Sequence, residues 1–476
     1  MADTLATRSP AANDVAADGP PSAPFGYRVR LRAWSVGSVS AGLTDLDGRL
    51  DGREVVGFAI DATNRSGALN EADGALMAEA ARTALDMRRP LVGVLASSGT
   101  DLLGGIDALH GWGVAARSIA ACSGTVPITF VVDGPAVSGV ALLLGLADLV
   151  VMTTASYAFV SGPSMVADYT GIALDNDTLG GSTTHARHTG LPALLAPDVA
   201  GALDHVATLL GFLPDHVDME PPWLPVDDPT ERDADDLDDV MPATSTGSYD
   251  VRAVAAGIVD DSSLVELRAR FAPNLVTAFA TVGGRPIGVV ANQPLALAGT
   301  LDIPAAQKGA WFVSLCDAFN LPIVTLVDTP GYFPGKDLEW RGMIRHGAQM
   351  AFAYAEATVP RVCVVLRKAY GGAFIVMDCK TMGNDLCLAW PSAELAVMGA
   401  KGAVQILYRR EPEDVRLAHE EQYADAYLNP YVAAERGYVD MVIQPSQTRR
   451  LVARAIDLLA TKREMLVGKR HGNSPL

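Results

Sequence analysis

Cysteine is scarce in this chain: Cys122, Cys316, Cys363, Cys379 and Cys387 are the only five among 476 residues, and none forms a CxxC pair. An odd, scattered set excludes a disulfide scaffold and a zinc ribbon, and fits reduced thiols in a cytoplasm. Basic residues are outnumbered, 37 Lys and Arg against 55 Asp and Glu, which gives a net charge of −18. That balance argues against nucleic acid or an anionic membrane as the main partner. No apolar run is long enough to span a bilayer. The most apolar window, 136–152, is broken by Asp148 and carries Gly139 and Gly145, so it reads as a buried helix running into a strand. The first 25 residues lack a basic start and an apolar stretch, and are rich in Ala, Pro, Ser and Asp. This excludes a signal peptide and predicts a disordered tail. A GxSxG elbow, HExxH, a P-loop and a strand-borne GxGxxG are also missing. The eight histidines form no ligand-spaced cluster; His185 and His188, in a Thr- and Gly-rich stretch, read as loop or pocket-rim residues, and no metal site is expected.

What the chain does have is apolar material, 49% against 19% charged, ample for large cores. Its length suggests two or three domains. Residues 215–239 hold eleven acids, one base (Arg232) and four prolines. Such a segment reads as a solvated connector. Comparing the two sides of it exposes an internal match. Gly52-Arg53 falls on Gly284-Arg285, Gly67 on Gly299, Pro90 on Pro322 and Gly99 on Gly331, all at an offset of 232. Val126-Pro127 and Gly139 recur at 233 as Val359-Pro360 and Gly372, and Asp148 and Gly162 recur at 237 as Asp385 and Gly399. Ordered matches with so little drift predict a duplication. The expected divisions are a tail (1–25), a first domain (26–213), a connector (214–242) and a second domain (243–476).

Each half reads as α/β. Apolar runs start after Pro or at a base: 90–96, 127–132, 286–291, 322–327 and 361–366, with helical patterns at 73–85 and 305–319. A strand, a glycine-bearing turn and a helix recur at Val132–Gly139 and Arg367–Ala373. Gly371-Gly372-Ala373 opens a helical stretch to about Thr381, and Ser138-Gly139 occupies the equivalent turn. Two readings stand for these turns. They are tight turns needed for packing, or their amides hold a developing oxyanion. Asp328, in Asp-Thr-Pro-Gly, reads as a possible base or as a turn former. Its first-half counterpart is Ala96, which excludes a symmetric carboxylate pair. An enzyme of this build relies on backbone amides and a chemically active cofactor.

The second half carries a consistent set of motifs: Asn292-Gln-Pro294, Asp328-Thr-Pro-Gly-Tyr-Phe-Pro-Gly335, Ile344-Arg-His-Gly347, Arg367-Lys-Ala-Tyr-Gly-Gly-Ala373, Ala389-Trp-Pro-Ser-Ala-Glu394, Met398-Gly-Ala-Lys-Gly402 and the closing Lys469–Leu476. Together they resemble the carboxyltransferase (β) subunit of biotin-dependent acyl-CoA carboxylases, of the propionyl-/acetyl-CoA carboxylase type. The likeness is dense over 243–476 and thinner over 50–242. It implies two tandem crotonase-like domains, with an acyl-CoA thioester on the first and carboxybiotin on the second. It further implies that the amides of Gly372 and Ala373 hold the biotin ureido oxygen, and that Ser138 and Gly139 hold the thioester oxygen. By the same resemblance Ser97, Ser98, Gly99, Val137 and Ile375 line the acyl-CoA site. Asp328, Thr329, Pro330, Gly331, Tyr332, Tyr370 and Gly371 line the biotin site. A hexamer is implied, working with a biotin carboxylase/biotin carrier subunit. The chain has no Met-Lys-Met carrier motif, so biotin is expected on another protein.

The first half departs from that pattern. The family's Asp-Ser-Gly-Gly-Ala-Arg reads Ala96-Ser-Ser-Gly-Thr-Asp101, and its Ala-Gly-Gly turn reads Val137-Ser-Gly139. The helix and strand that precede the second half are not matched over 28–39. Three activities fit: a carboxyltransferase with a changed acyl acceptor, an acyl-thioester decarboxylase, and a non-catalytic scaffold. Ile375 stands where the family has Asp in propionyl-type members, and suits either an apolar acyl wall or ordinary helix core.

Overall fold

The computed structural model describes residues 29–30, 37–242, 244, 247–462, 464–470 and 472–475. The expected tail lies outside them. Two eight-stranded mixed sheets form the frame. The first comprises β1 (Val29–Arg30), β2 (Val39–Thr44), β3 (Val55–Ile60), β4 (Leu91–Ser97), β5 (Ile128–Val137), β6 (Leu149–Thr153), β7 (Tyr157–Phe159) and β8 (Leu194–Ala196). The second comprises β9 (Val265–Leu267), β10 (Leu275–Val282), β11 (Arg285–Asn292), β12 (Ile323–Thr329), β13 (Arg361–Tyr370), β14 (Leu386–Ala389), β15 (Glu394–Ala396) and β16 (Met441–Val442).

The orders coincide. β1-β2-β3-β4-β5-β6-β8 in one sheet answers β9-β10-β11-β12-β13-β14-β16 in the other, with β7 on β5 and β15 on β13. In both, the first three strands are antiparallel and the rest parallel. The parallel strands are buried along almost their whole length, as sheets covered on both faces require. Gly283-Gly284 closes the β10–β11 hairpin with both φ values positive, the two-residue turn that matches strand twist. Asn70 and Asp302, 232 apart, cap the helices Glu71–Met87 and Ile303–Ala318 by accepting the N–H of Asp73 and Ala305.

Three expectations are corrected. The first sheet does have its edge strand, since Val29-Arg30 pairs with Gly42-Leu43 as β9 pairs with β10. The helix opened by Gly371 stops at Ile375 rather than near Thr381; Asp378, at φ +58, turns the chain away. The acidic segment is not merely solvated. Asp215 is buried against Arg53 and Arg89, Asp228 holds Arg232 and Arg449, and Glu231 and Asp233 pair with Arg454 and Arg450. The segment is thus an ion-paired strap across both halves.

The helix Val199–Phe212 joins the sheets through one core. Phe212 stacks on Phe279 with centroids 5.5 Å apart, and Phe279 meets Phe312 at 5.5 Å. Asp148 and Asp385 each tie a strand start to its neighbour, accepting the N–H of Ile128 and of Arg361 at 2.8 Å. Asp385 also meets Lys462 at 3.0 Å. Burial pushes the Asp148 carboxyl up to about 7, while the Ile128 N–H pulls it down. A folded-state value above the unfolded one means that stability is full below the ordinary carboxylate range and falls as pH rises towards 7. Asp148→Asn should therefore gain melting temperature over the parent at pH 8 and not at pH 4. Equal differences at both pH values, by calorimetry, would show that this carboxyl titrates normally.

Candidate functional site

The second-half turn sits where β13 ends. Gly371 adopts φ +59, and a Cβ there would lie 3.1 Å from Val397 O, so any other residue is strained here. Gly372 is exposed, and a Cβ on it would meet only Tyr332 Cε2, at 3.8 Å. Its amide and that of Ala373 fall in the first turn of the helix Gly371–Ile375, where N–H groups have no intrahelical partner. Gly372 presents this helix start to solvent, with Ala373 buried behind it, and the pair suits a carbonyl-type oxygen approaching from the Gly372 side. A cavity of about 420 Å³ opens beside it, lined by Tyr332, Met343, Ile344, Gly347, Ile375 and Val376 among others. Burial pushes the Tyr332 phenol up to about 12, so it stays a neutral donor. A second cavity of about 600 Å³ also borders Gly372 and Ile375.

The first-half turn has the same backbone but not the same residues. Ser138 adopts φ +59 and ψ −124, matching the φ of Gly371. Its N–H donates to Phe159 O at 3.0 Å. The expected Ser138 donor is thus engaged by β7, and the helix-start amides are those of Gly139 and the buried Val140, the counterparts of Gly372 and Ala373. Gly139 is pressed by Trp112, whose Nε1 would lie 2.7 Å from an added Cβ; that indole nitrogen is buried without a partner. A non-glycine residue in this conformation carries strain of about 1–3 kcal/mol. Ser138→Gly should raise stability by about 1 kcal/mol, less than the full strain because glycine also loosens the unfolded chain. A urea midpoint that does not rise would show the turn unstrained.

Several other predicted residues hold the turns rather than face them. Ser97 is fully buried, donating to Gly67 O at 2.7 Å and accepting the Gly99 N–H at 3.1 Å. Thr329, also buried, binds Gly331 in the same way. Ser98 is exposed, with its N–H given to Ser66 O. Asp328 is 1% exposed. It accepts from Arg367 Nε at 3.0 Å and from the Lys368 N–H at 3.1 Å, so it serves as the buried anion of an ion pair, not as a reachable base. Tyr370 donates to the Glu394 carboxylate and packs on Gly399. Pro330, Gly331 and Val137 are half-buried; of the predicted biotin residues, Tyr332 and Gly371 border the two cavities.

The negative charge at Asp101 is answered. Arg65 Nη1 lies 2.6 Å from Asp101 Oδ2, so the charge is reversed in sequence and balanced in space. His185 lies in a helix (Ser182–His188), not a loop, and engages Ala158 O and Thr189 Oγ1 through its two ring nitrogens. Among the described residues no three potential metal ligands cluster, and no helix is long and apolar enough to cross a membrane. The residues that sequence reasoning missed are Met343, Ile344, Val376 and the aromatic wall of the second cavity. The spaced tyrosines Tyr423 and Tyr427, with centroids 5.0 Å apart, were the available signal for that wall.

The carboxyl transferase domain family matches residues 19–474. The propionyl-CoA carboxylase beta chain of Saccharopolyspora erythraea is 44% identical over 448 residues, covering 90% of this chain and 82% of its own. The methylmalonyl-CoA decarboxylase subunit alpha of Veillonella parvula is 39% identical over 431 residues, covering 90% and 84%. A transcarboxylase 12S crystal structure, a hexamer with hydrolysed methylmalonyl-coenzyme A bound, superposes with a TM-score of 0.90 at 39% identity, covering 94% of this chain and 88% of that one. Paired turns at matched helix starts and a match along almost the whole length lead to one conclusion: this chain belongs to the carboxyl transferase domain family and is an enzyme of the carboxyltransferase type.

Proposed function

We propose that the chain moves a carboxyl group from carboxybiotin to the α carbon of an acyl-CoA, within two crotonase-like domains related by duplication. The observation that carries this is the exposed Gly372 at the start of the helix Gly371–Ile375, in a turn matched at Ser138–Val140 in a sheet of the same order. Biotin, borne by a carrier subunit, supplies the carboxyl group and a nitrogen that accepts the α-proton. Gly372 and Ala373 would hold its ureido oxygen, and the absence of any near neighbour but Tyr332 leaves room for it. Negative charge developing on the thioester oxygen is met by the Gly139 and Val140 amides. Each such donor is worth about 3 kcal/mol of barrier. We read the assembly as a hexamer with a biotin carboxylase/biotin carrier partner, working in the cytoplasm.

The test is purified protein with carboxybiotin-loaded carrier and a panel of acyl-CoAs. Carboxylation of any member supports the reading. Decarboxylation of a malonyl-type thioester without carboxylation would favour the second reading, which the likeness to a decarboxylase subunit supports. Ile375 is 41% exposed and borders both cavities. A carboxylate there would oppose apolar acyl groups. Ile375→Asp should lower kcat/KM for longer acyl-CoAs relative to propionyl-CoA by about tenfold, a pocket contact being worth about 1–3 kcal/mol. Unchanged ratios would return Ile375 to a packing role.

A further inference from the structure

The helix Met343–Glu356 walls the Tyr332 cavity with Met343, Ile344, Gly347 and Ala348, all from its N-terminal half. That start is weakly secured. Gly342 precedes it at φ +91, and no side chain caps its first N–H groups. The same helix also meets residues from far along the chain. Lys469 pairs with Glu356, a Cβ on Gly472 would touch Phe352 Cζ at 3.1 Å, and Gln349 Nε2 donates to Pro475 O at 2.7 Å.

The last of these bonds fixes an orientation. A carbonyl oxygen only accepts, so the Gln349 nitrogen must face Pro475 and its Oε1 is left for another donor. That Oε1 lies 3.2 Å from His346 Nδ1. An acceptor there requires a hydrogen on Nδ1, which leaves Nε2 as the acceptor nitrogen of the neutral ring. Gln307 Nε2, on the helix Ile303–Ala318, also stands 3.2 Å from Nδ1. Two donors cannot share that contact, so Gln307 turns its own oxygen to the ring. One N–H then serves two amide oxygens, and His346 ties the uncapped helix start to the helix packed beside it.

We propose that His346 is a positioning residue for the carboxyl donor: held as its Nδ1–H form by Gln349 and Pro475, it fixes the turns that wall the Tyr332 cavity. This rests on the reading that the donor's ureido oxygen is held at Gly372, which borders that cavity. His346 and Gln349 do not line the cavity themselves, so they act through Met343, Ile344 and Gly347.

The test pairs steady-state kinetics, with carboxybiotin-loaded carrier and propionyl-CoA, with hydrogen exchange of amides 346–350 in the full-length protein. The first of these amides bonds to Gly342 O at 3.0 Å. His346→Leu and Gln349→Leu should each raise KM for the carrier about fivefold, the scale of one hydrogen bond, and speed that exchange by a similar factor. The kcat and the KM for propionyl-CoA should not move. His346→Asn should restore both readouts, because its Nδ2–H stands where Nδ1–H stood. His346→Gln, whose nitrogen reaches the Nε2 position instead, should not. Equal rescue by Asn and Gln, or exchange unmoved in both leucine variants, would overturn the proposal. So would kcat, both KM values and melting temperature worsening together, which is what a merely structural contact gives. A parent without biotin-dependent turnover, but with the expected exchange pattern, removes the carboxyltransfer reading and keeps the tie. A parent that turns over, with neither KM nor exchange responding to the variants, keeps the carboxyltransfer reading and removes the positioning role.

Discussion

Gly372→Val should abolish biotin-dependent carboxyl transfer while the protein stays folded. The conformation at Gly372 is one that other residues adopt, and a Cβ would sit 3.8 Å from Tyr332 Cε2, an ordinary contact. The valine methyl groups would project into the space that the two cavities share at this residue. They would cover the amides of residues 372 and 373 without breaking the turn. Losing one oxyanion donor costs about 10²–10³ in rate, so masking two should cost about 10⁴ or more. Gly372→Ala is the graded control, since its single methyl group leaves part of the helix start open and should cost about 10-fold to 10²-fold by the same reasoning. Gly371→Val would be a poor test, because φ +59 and the nearby Val397 O make any loss ambiguous. Turnover with an unchanged melting temperature is the measurement. Retained activity in Gly372→Val would remove this turn from the chemistry.

That turn was readable in the sequence because its constraint is local. A left-handed residue followed by an open one leaves Gly-Gly, and the strand before it leaves an apolar run. Strand starts were legible for the same reason: 322–327 and 361–366 became Ile323–Thr329 and Arg361–Tyr370. What escaped was set by partners distant in sequence. Nothing near Asp101 says that Arg65 will face it. Nothing near Ser138 says that its N–H goes to Phe159. The acidic strap read as solvated because its arginines, Arg53, Arg89, Arg449, Arg450 and Arg454, lie more than 100 residues away on either side. The second cavity was invisible because one of its walls, Glu413–Tyr427, has no buried residue and reads as a polar surface helix.

Asp328 shows the same lesson with a large energy attached. In sequence it could be a base; in the fold it is 1% exposed, with Arg367 Nη2 2.9 Å away at 7% side-chain exposure and Tyr249 beneath the guanidinium at 5.2 Å. Arg367 also donates to Gly247 O at 2.7 Å, which pins the chain just after the acidic strap to the strand that leads into the second-half turn. Removing one member of a buried pair leaves the other charged and unmet, at a cost of about 3–5 kcal/mol. Arg367→Met should therefore destabilise by about that amount at pH 7, and Asp328→Asn by a similar or smaller amount, because its amide still accepts from Lys368 N–H. The double change Asp328→Asn with Arg367→Met should cost less than the sum of the single changes, a coupling of about 1–3 kcal/mol. Urea titrations of the four proteins measure it. Additive costs would mean that the two side chains do not depend on each other. If Asp328→Asn instead kept its full stability and lost turnover more than 10³-fold, Asp328 would be a base after all, and backbone amides alone would not account for the proton transfer.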